Sequence, residues 1–368
     1  MRAASYAKGD FQRELRGKVQ ERLTADGRTF RGGWRGWLHA APAFAWFYGS
    51  FAALVLLRLP VAAIVPLTCS LGLAMTAGLT TTTHGALHQT LARRRWVNWA
   101  AVYVISPTGI SARWWTVKHN MSHHAYTNVE GLDDDLEQGA LLRMTPTQAH
   151  RPWHRFQHLY VWALYPLAGF ALMAGDRKFV LRGELKGGRR VEAPSLLRTA
   201  VLLFEQLAGM SLLLVVALVL QPAAGVAAVC IGAILVSGAA AAALFAVTHY
   251  VEDTEFTRPD ASGALAAEWA VTQVNGAVNI AIRNPIVRWY FGGFANHIEH
   301  HLFPRMAHVH YRAISPVVRD ECERRGLRYR ELPSVRAAYA SHMRFMREMG
   351  RPPVAAPHAT VSLAPTTA

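Results

Sequence analysis

The chain has 368 residues, 52% of them apolar and 17% charged, with a formal net charge of +15. Soluble domains carry about 25% charged residues, and here the apolar residues gather in long, nearly uncharged runs, so the composition points to a bilayer. It excludes a disordered chain, a collagen-like fibre and, with only three cysteines, a disulfide scaffold.

Residues 1–39 are polar and charged and read as a cytoplasmic N-terminal segment, with no cleavable signal peptide. Two apolar runs follow, 41–57 and 61–83, joined by Arg58, Leu59 and Pro60, and each is long enough to cross, given about 20 residues per span. A second pair, 200–220 (interrupted by Glu205) and 223–247, turns at Gln221 and Pro222. Stretches 96–110 and 159–174 are aromatic and apolar but short or broken by Pro107 and Pro166, as expected of helices at the interface or dipping into it. The predicted fold is all-α and integral to the membrane: four spans in two hairpins, with a cytoplasmic helical cap. Residues 40–352 form the membrane domain, and residues 353–368 read as a disordered tail.

Of the 39 basic residues all but Arg58 lie before the first span, between the pairs or after the last, so the positive-inside rule puts both termini and the central segment in the cytoplasm. None of these runs has the aromatic interleaving of a nucleic-acid platform, and no nucleic-acid partner is expected. Cys69, Cys230 and Cys322 are too dispersed for an iron–sulfur cluster.

Eight of the seventeen histidines fall into three clusters: His84 and His88 at the end of the second run, His119, His123 and His124 in the central segment, and His297, His300 and His301 after the last run. Spacings of three and four residues set imidazoles on one helical face. The topology puts all three clusters on one side of the membrane, with His249, which closes the fourth run, beside them. A single pair of this kind is more often structural or a lone zinc site; three convergent clusters overfill one coordination sphere and imply two metals. Imidazole suits zinc, copper, iron and nickel alike; redox iron is favoured by the acyl chains the site faces and by the lack of a hydrolytic nucleophile.

These boxes, with Trp114, Trp115 and Lys118 leading into the second, and with Gly292-Gly293 before and Leu302-Phe303-Pro304 after the third, resemble the membrane fatty acid desaturase family. The acidic run Asp133 to Glu137, the stretch His249 to Phe256, and His308 to Tyr311 continuing through Pro316 resemble its bacterial acyl-CoA and front-end branch. One position departs: front-end relatives usually have Gln where His297 stands. The resemblance implies an enzyme that forms a carbon–carbon double bond in a long acyl chain carried by CoA, a carrier protein or a lipid. It implies two non-haem irons held by His84, His88, His119, His123, His124, His297, His300 and His301, with His249 as a further ligand, and O2 as co-substrate. Hydroxylation or acetylenation is the alternative outcome of the same chemistry, and a membrane metal-binding or transport protein the alternative from another class.

Each ligating ring needs a partner for its other nitrogen, and Asp133, Asp134, Asp135, Glu252, Asp253 and Glu299 are close enough in sequence to be candidates. Arg93, Arg94, Arg95, Arg151 and Arg155 are candidates for the phosphates of an acyl carrier or of lipid headgroups. Reducing O2 to two waters takes four electrons, of which the substrate supplies two. The other two are expected from a separate ferredoxin, cytochrome b5 or reductase, docking at basic residues such as Arg324, Arg325, Arg328 and Arg330.

Overall fold

A computed structural model describes residues 4–105, 110–186, 188–192 and 195–353, without the side chains of 104, 105 and 205–212. The tail beyond Pro353 and the side chain of Glu205 therefore lie outside the described residues, as do 106–109 of the aromatic stretch, whose described part is the helix Arg95–Ile105.

The chain is mostly helical. Among the described residues four helices are long and apolar enough to cross a membrane: Gly33–Leu56, Val61–Leu87, Pro152–Arg182 and Ala223–His249. Leu196–Leu220, an expected span, forms one further helix of 25 residues. Pro60, extended at φ −68° and ψ 154°, separates the first two and starts the second, as a proline without an N–H can at a helix N-terminus. The second and the last pack closely because Gly72 has no side chain. A Cβ there would lie 2.7 Å from the Ala233 carbonyl oxygen and 2.7 Å from Val236 Cβ; small residues allow this approach between membrane helices.

Pro152–Arg182 contains the stretch expected at the interface, and Pro166 does not end it. The proline sits in a short 3₁₀ turn, Tyr165–Leu167, between two α-helical pieces. Both ends are tied to the same region of the fold: Gln157 donates to the Met346 carbonyl (2.9 Å), and the Lys186 amide just beyond the helix donates to Asp134 (2.7 Å).

The polar remainder folds over one end of these helices. Phe11, Leu15, Val19 and Leu23 recur at every fourth residue of the helix Phe11–Ala25 and are fully buried. They pack with Val274, Ile298, Leu302, Ile314 and Val318, each such burial contributing about 1.5–3 kcal/mol. The N-terminal segment thus shares a core with the helix His297–Leu302, which bears the third histidine cluster. Two short parallel strand pairs, Ser5–Tyr6 with Ala264–Leu265 and Asn279–Ile280 with Glu331–Leu332, tie distant segments of this cap together.

Candidate metal centre

Two of the three histidine clusters sit at π-helical turns. Leu79–Thr83 leads into His84, and Thr116–His123 carries His119 and His123. A π turn is wider than an α turn and typical of functional sites, so it re-aims the rings relative to ordinary helical spacing. The first turn is held by buried threonines: Thr81 donates to the Ala77 carbonyl (2.6 Å) and Thr80 to the Tyr290 carbonyl (2.7 Å).

All nine histidines are buried, and their rings form two adjoining groups. Ligand atoms of His84, His88, His119, His124 and His300 lie within 4.8 Å of one another, as do those of His123, His249 and His301. His297 joins the second group, its Nε2 2.7 Å from that of His249 and 3.2 Å from that of His301. In the first group the Nε2 atoms of His84 and His119 are 2.8 Å apart, and those of His119 and His124 3.2 Å. The groups touch where the His124 and His301 rings meet, tilted by 32° with centroids 4.4 Å apart. Each of the second and third clusters contributes to both groups, and the first contributes to one.

Hydrogen bonds at the other ring nitrogen show which atoms face inward. His249 Nδ1 donates to the Gly276 carbonyl (2.9 Å), His301 Nδ1 to Gln273 Oε1 (3.0 Å) and His123 Nδ1 to the Asp133 carboxylate (3.0 Å). Tyr311 gives its own proton to the Met306 carbonyl (2.9 Å), so it accepts from His300 Nδ1 (3.1 Å). With protons on Nδ1, the Nε2 lone pairs converge. His249, His297 and His301 place three Nε2 atoms 2.7–3.2 Å from one another, and the facing lone pairs of His249 and His301, whose protons are held on Nδ1, repel unless a cation or a proton lies between them. Ligand nitrogens about 2.1 Å from one metal have this kind of spacing, so the donor set fits metal ions. Burial holds His119, His124, His297, His300 and His301 well below the usual imidazole range, which keeps them neutral and free to ligate near pH 7. Burial also lowers His123, but the Asp133 and Asp135 carboxylates together more than offset it and the net shift is upward.

Of the candidate carboxylates, Asp133 reaches a ring directly and also accepts from the Asn128 and Asp135 amides, each at 2.9 Å. Asp135 pairs with Lys118 and lies 3.4 Å from His123 Nδ1. Asp134 accepts from the Lys186 amide. The other three turn elsewhere: Glu252 to Ser341 and Arg344, Asp253 to Arg328, and Glu299, though buried, to Tyr329 (2.6 Å) and Asn279 (2.8 Å). Glu299 precedes His300, but a helix points neighbouring side chains about 100° apart. Gln273, Tyr311 and the Gly276 carbonyl take the partner role instead. Tyr311 closes a motif already singled out in the sequence; Gln273 and Gly276 carry no local signal.

An apolar cavity of about 500 Å³ reaches both groups, since His119 and His249 line it together with Trp115 and Phe245. Its size is within the range of about 300–1,000 Å³ usual for ligand pockets. From there it runs between the long helices past Ala241 and Ile234, while Lys118, Asp135, Gln138 and Lys186 make another part of its wall polar. Arg93 and Arg95 line a separate groove. Arg94 is exposed beside them, and Arg151 and Arg155 are exposed at the start of Pro152–Arg182, Arg155 over the Phe156 ring.

Long apolar helices under a cap that gathers nine imidazoles beside an apolar cavity define a histidine-rich membrane enzyme. The chain belongs to the fatty acid desaturase family, which matches residues 60–333. It is similar to the sn-1 linoleoyl-lipid 6-desaturase of Synechocystis sp., 30% identical over 94% of this chain and 96% of that protein. The enzyme of the same description from Arthrospira platensis is 29% identical over 92% of each chain. A chloroplastic acyl-lipid (7-3)-desaturase of Chlamydomonas reinhardtii is 29% identical over 67% of this chain and 48% of that one.

Proposed function

We propose that this chain desaturates a long acyl chain esterified in a membrane lipid, at two irons held by the nine histidines. The observation that carries this reading is the apolar cavity whose wall includes His119 of one group and His249 of the other. Two irons held there supply, with O2, the oxidising power to take hydrogen from an unactivated C–H bond. Each turnover removes two hydrogens from the chain and forms two waters from one O2, with two electrons and two protons from outside.

The protein's own part is placement. Trp115 and Phe245 confine the chain against the imidazoles and keep water away, so the carbon to be oxidised is held in one orientation. Asp133, Gln273 and Tyr311 keep protons on the Nδ1 atoms and leave Nε2 free. Lys118 and Gln138 offer the ester group a polar wall. Lys118 precedes His119, so the ester lies close to the metal-facing wall and oxidation falls in the carboxyl-end part of the chain. The 6-desaturase names of the two similar cyanobacterial enzymes agree with this. Lipid analysis by mass spectrometry with double-bond localisation, on cells producing the wild type or His300→Ala, tests it. The expected product is a lipid-bound acyl chain with a new double bond between its ester and its midpoint, absent with His300→Ala. A new bond beyond the midpoint sinks the placement, and product from the variant sinks the metal reading.

We further propose that the membrane domain is two hairpins, 33–87 and 196–249, with both termini and the metal centre in the cytoplasm. His123 and His249 lie in one group, ring centroids 4.7 Å apart, so an even number of crossings lies between them. Pro152–Arg182, tied at both ends to the cap, leaves Leu196–Leu220 and Ala223–His249 as those crossings. Reporter fusions at Gly350 and Pro222 are expected to read cytoplasm and outside respectively; equal signals exclude the arrangement.

A further inference from the structure

A second cavity, of about 780 Å³, opens beside the first histidine group, with His88 and His124 in its wall. These two rings belong to the first histidine group and are only 5% and 4% exposed, so here that group comes within one imidazole of the outside. Arg31, Arg93, Arg95 and Arg305 line the same groove, all exposed, and among the described residues no acidic side chain does. Arg31 is fixed by carbonyls alone, donating to Ala92 (2.8 Å) and Gln89 (3.4 Å), so its charge is not neutralised. Among the described residues Arg93, Arg95 and Arg305 have no ion-pair partner. Trp269, also in the wall, donates its indole N–H to the His124 carbonyl (3.1 Å).

The basic cluster that the sequence favours for docking differs in this respect. Arg324 pairs with Glu321, Arg325 with Glu321 and Glu14, Arg328 with Asp253 (2.9 Å) and Arg330 with Glu255 (3.6 Å). Its charge is spent inside the fold.

We propose that the arginine-lined groove is the docking site of an acidic one-electron carrier protein, which passes electrons to the metal centre across His88 and His124. The proposal rests on the desaturase reading, which requires two external electrons per double bond. Each visit oxidises the carrier by one electron and reduces the centre by one, so two visits complete a turnover. Four unpaired cations on one face steer an acidic partner. A redox centre seated there would have only the His88 and His124 rings between it and metals held by the first group, whereas the acyl cavity is kept for the substrate.

The test uses the purified full chain with a reduced acidic [2Fe–2S] ferredoxin. Binding is read by biolayer interferometry across salt concentrations, and ferredoxin oxidation by stopped-flow absorbance. Arg93→Glu combined with Arg305→Glu is expected to weaken binding and slow oxidation by about ten-fold or more at low salt, and to flatten the salt dependence. Arg324→Glu combined with Arg328→Glu is expected to change both by less than about two-fold. Unchanged iron content and thermal stability establish that the variants are folded. A ferredoxin with surface acids changed to lysine is expected to restore binding to the Arg93/Arg305 variant. Equal losses in both pairs of variants overturn the proposal. So does unchanged ferredoxin binding together with reduced retention of phosphatidylglycerol in native mass spectra, which makes the groove a lipid headgroup site. Wild-type product formation is scored separately: turnover with undiminished binding by the variant defeats the docking alone, and tight ferredoxin binding with no wild-type product defeats the desaturase reading.

Discussion

Alanine at His88 or at His123 is expected to reduce product to below about one-hundredth of the wild-type level, more than the 10–100-fold typical of losing an outer partner. The two positions test different halves of the centre. His88 belongs with His84, His119, His124 and His300, whereas His123 faces His249 and His301. Each substitution removes one lone pair from a buried set that a displaced water fills poorly. Purified wild type is expected to hold about two irons per chain, because nine ligands overfill one coordination sphere, and each variant about one. Elemental analysis beside product analysis decides the matter. Two irons retained by both variants, or full activity in either, removes the assignment of these rings as ligands.

The second large effect is expected at Asp133, which touches neither cavity. Its carboxylate accepts from His123 Nδ1 at 3.0 Å and from two backbone amides at 2.9 Å, and it is fully buried. Asp133→Asn turns an amide N–H₂ toward donors and favours the other tautomer of His123, taking its Nε2 lone pair from the metal. Iron affinity or kcat is expected to fall about 10–100-fold with KM little changed, as for other partners of metal-bound histidines. Glu299→Gln is the contrast. Glu299 is equally buried but bonded to Tyr329 and Asn279, so its substitution is expected to lower thermal stability more than iron affinity. A competitive iron-chelator titration separates the two. An Asp133→Asn protein with wild-type iron affinity and wild-type kcat shows that the carboxylate does not position the ring.

Much of this protein is legible from local pattern. Long uncharged runs signal helices suited to a bilayer, because hydrocarbon demands internal hydrogen bonding, and the histidine boxes signal a metal site because their spacing is helical. Local spacing does not say how the rings are shared out. Within the second box His119 and His124 turn to one group and His123 to the other; within the third, His300 parts from His297 and His301. That division follows from the π turn at Thr116–His123 and from the packing of Ala223–His249 and His297–Leu302 against it, neither of which is a property of one segment.

The partners of the rings divide in the same way. Asp133 lies ten residues from His123 and was within reach of a sequence argument, whereas Gln273 meets His301 across 28 residues and Gly276 meets His249 across 27. Glu252 and Asp253 are near His249 in sequence yet turn to arginines, because the chain leaves its helix at Tyr250 and carries them away from the rings. Arginine charge is countable from the sequence, but which arginines remain unpaired is not: Arg324 and Arg328 meet carboxylates, and among the described residues Arg93 and Arg305 do not. By itself the sequence determined the membrane class, the histidine clusters and the family. Only the tertiary structure decided how the histidine rings divide, which partners fix their protons and where free charge meets them, since each depends on distances between segments that are far apart along the chain.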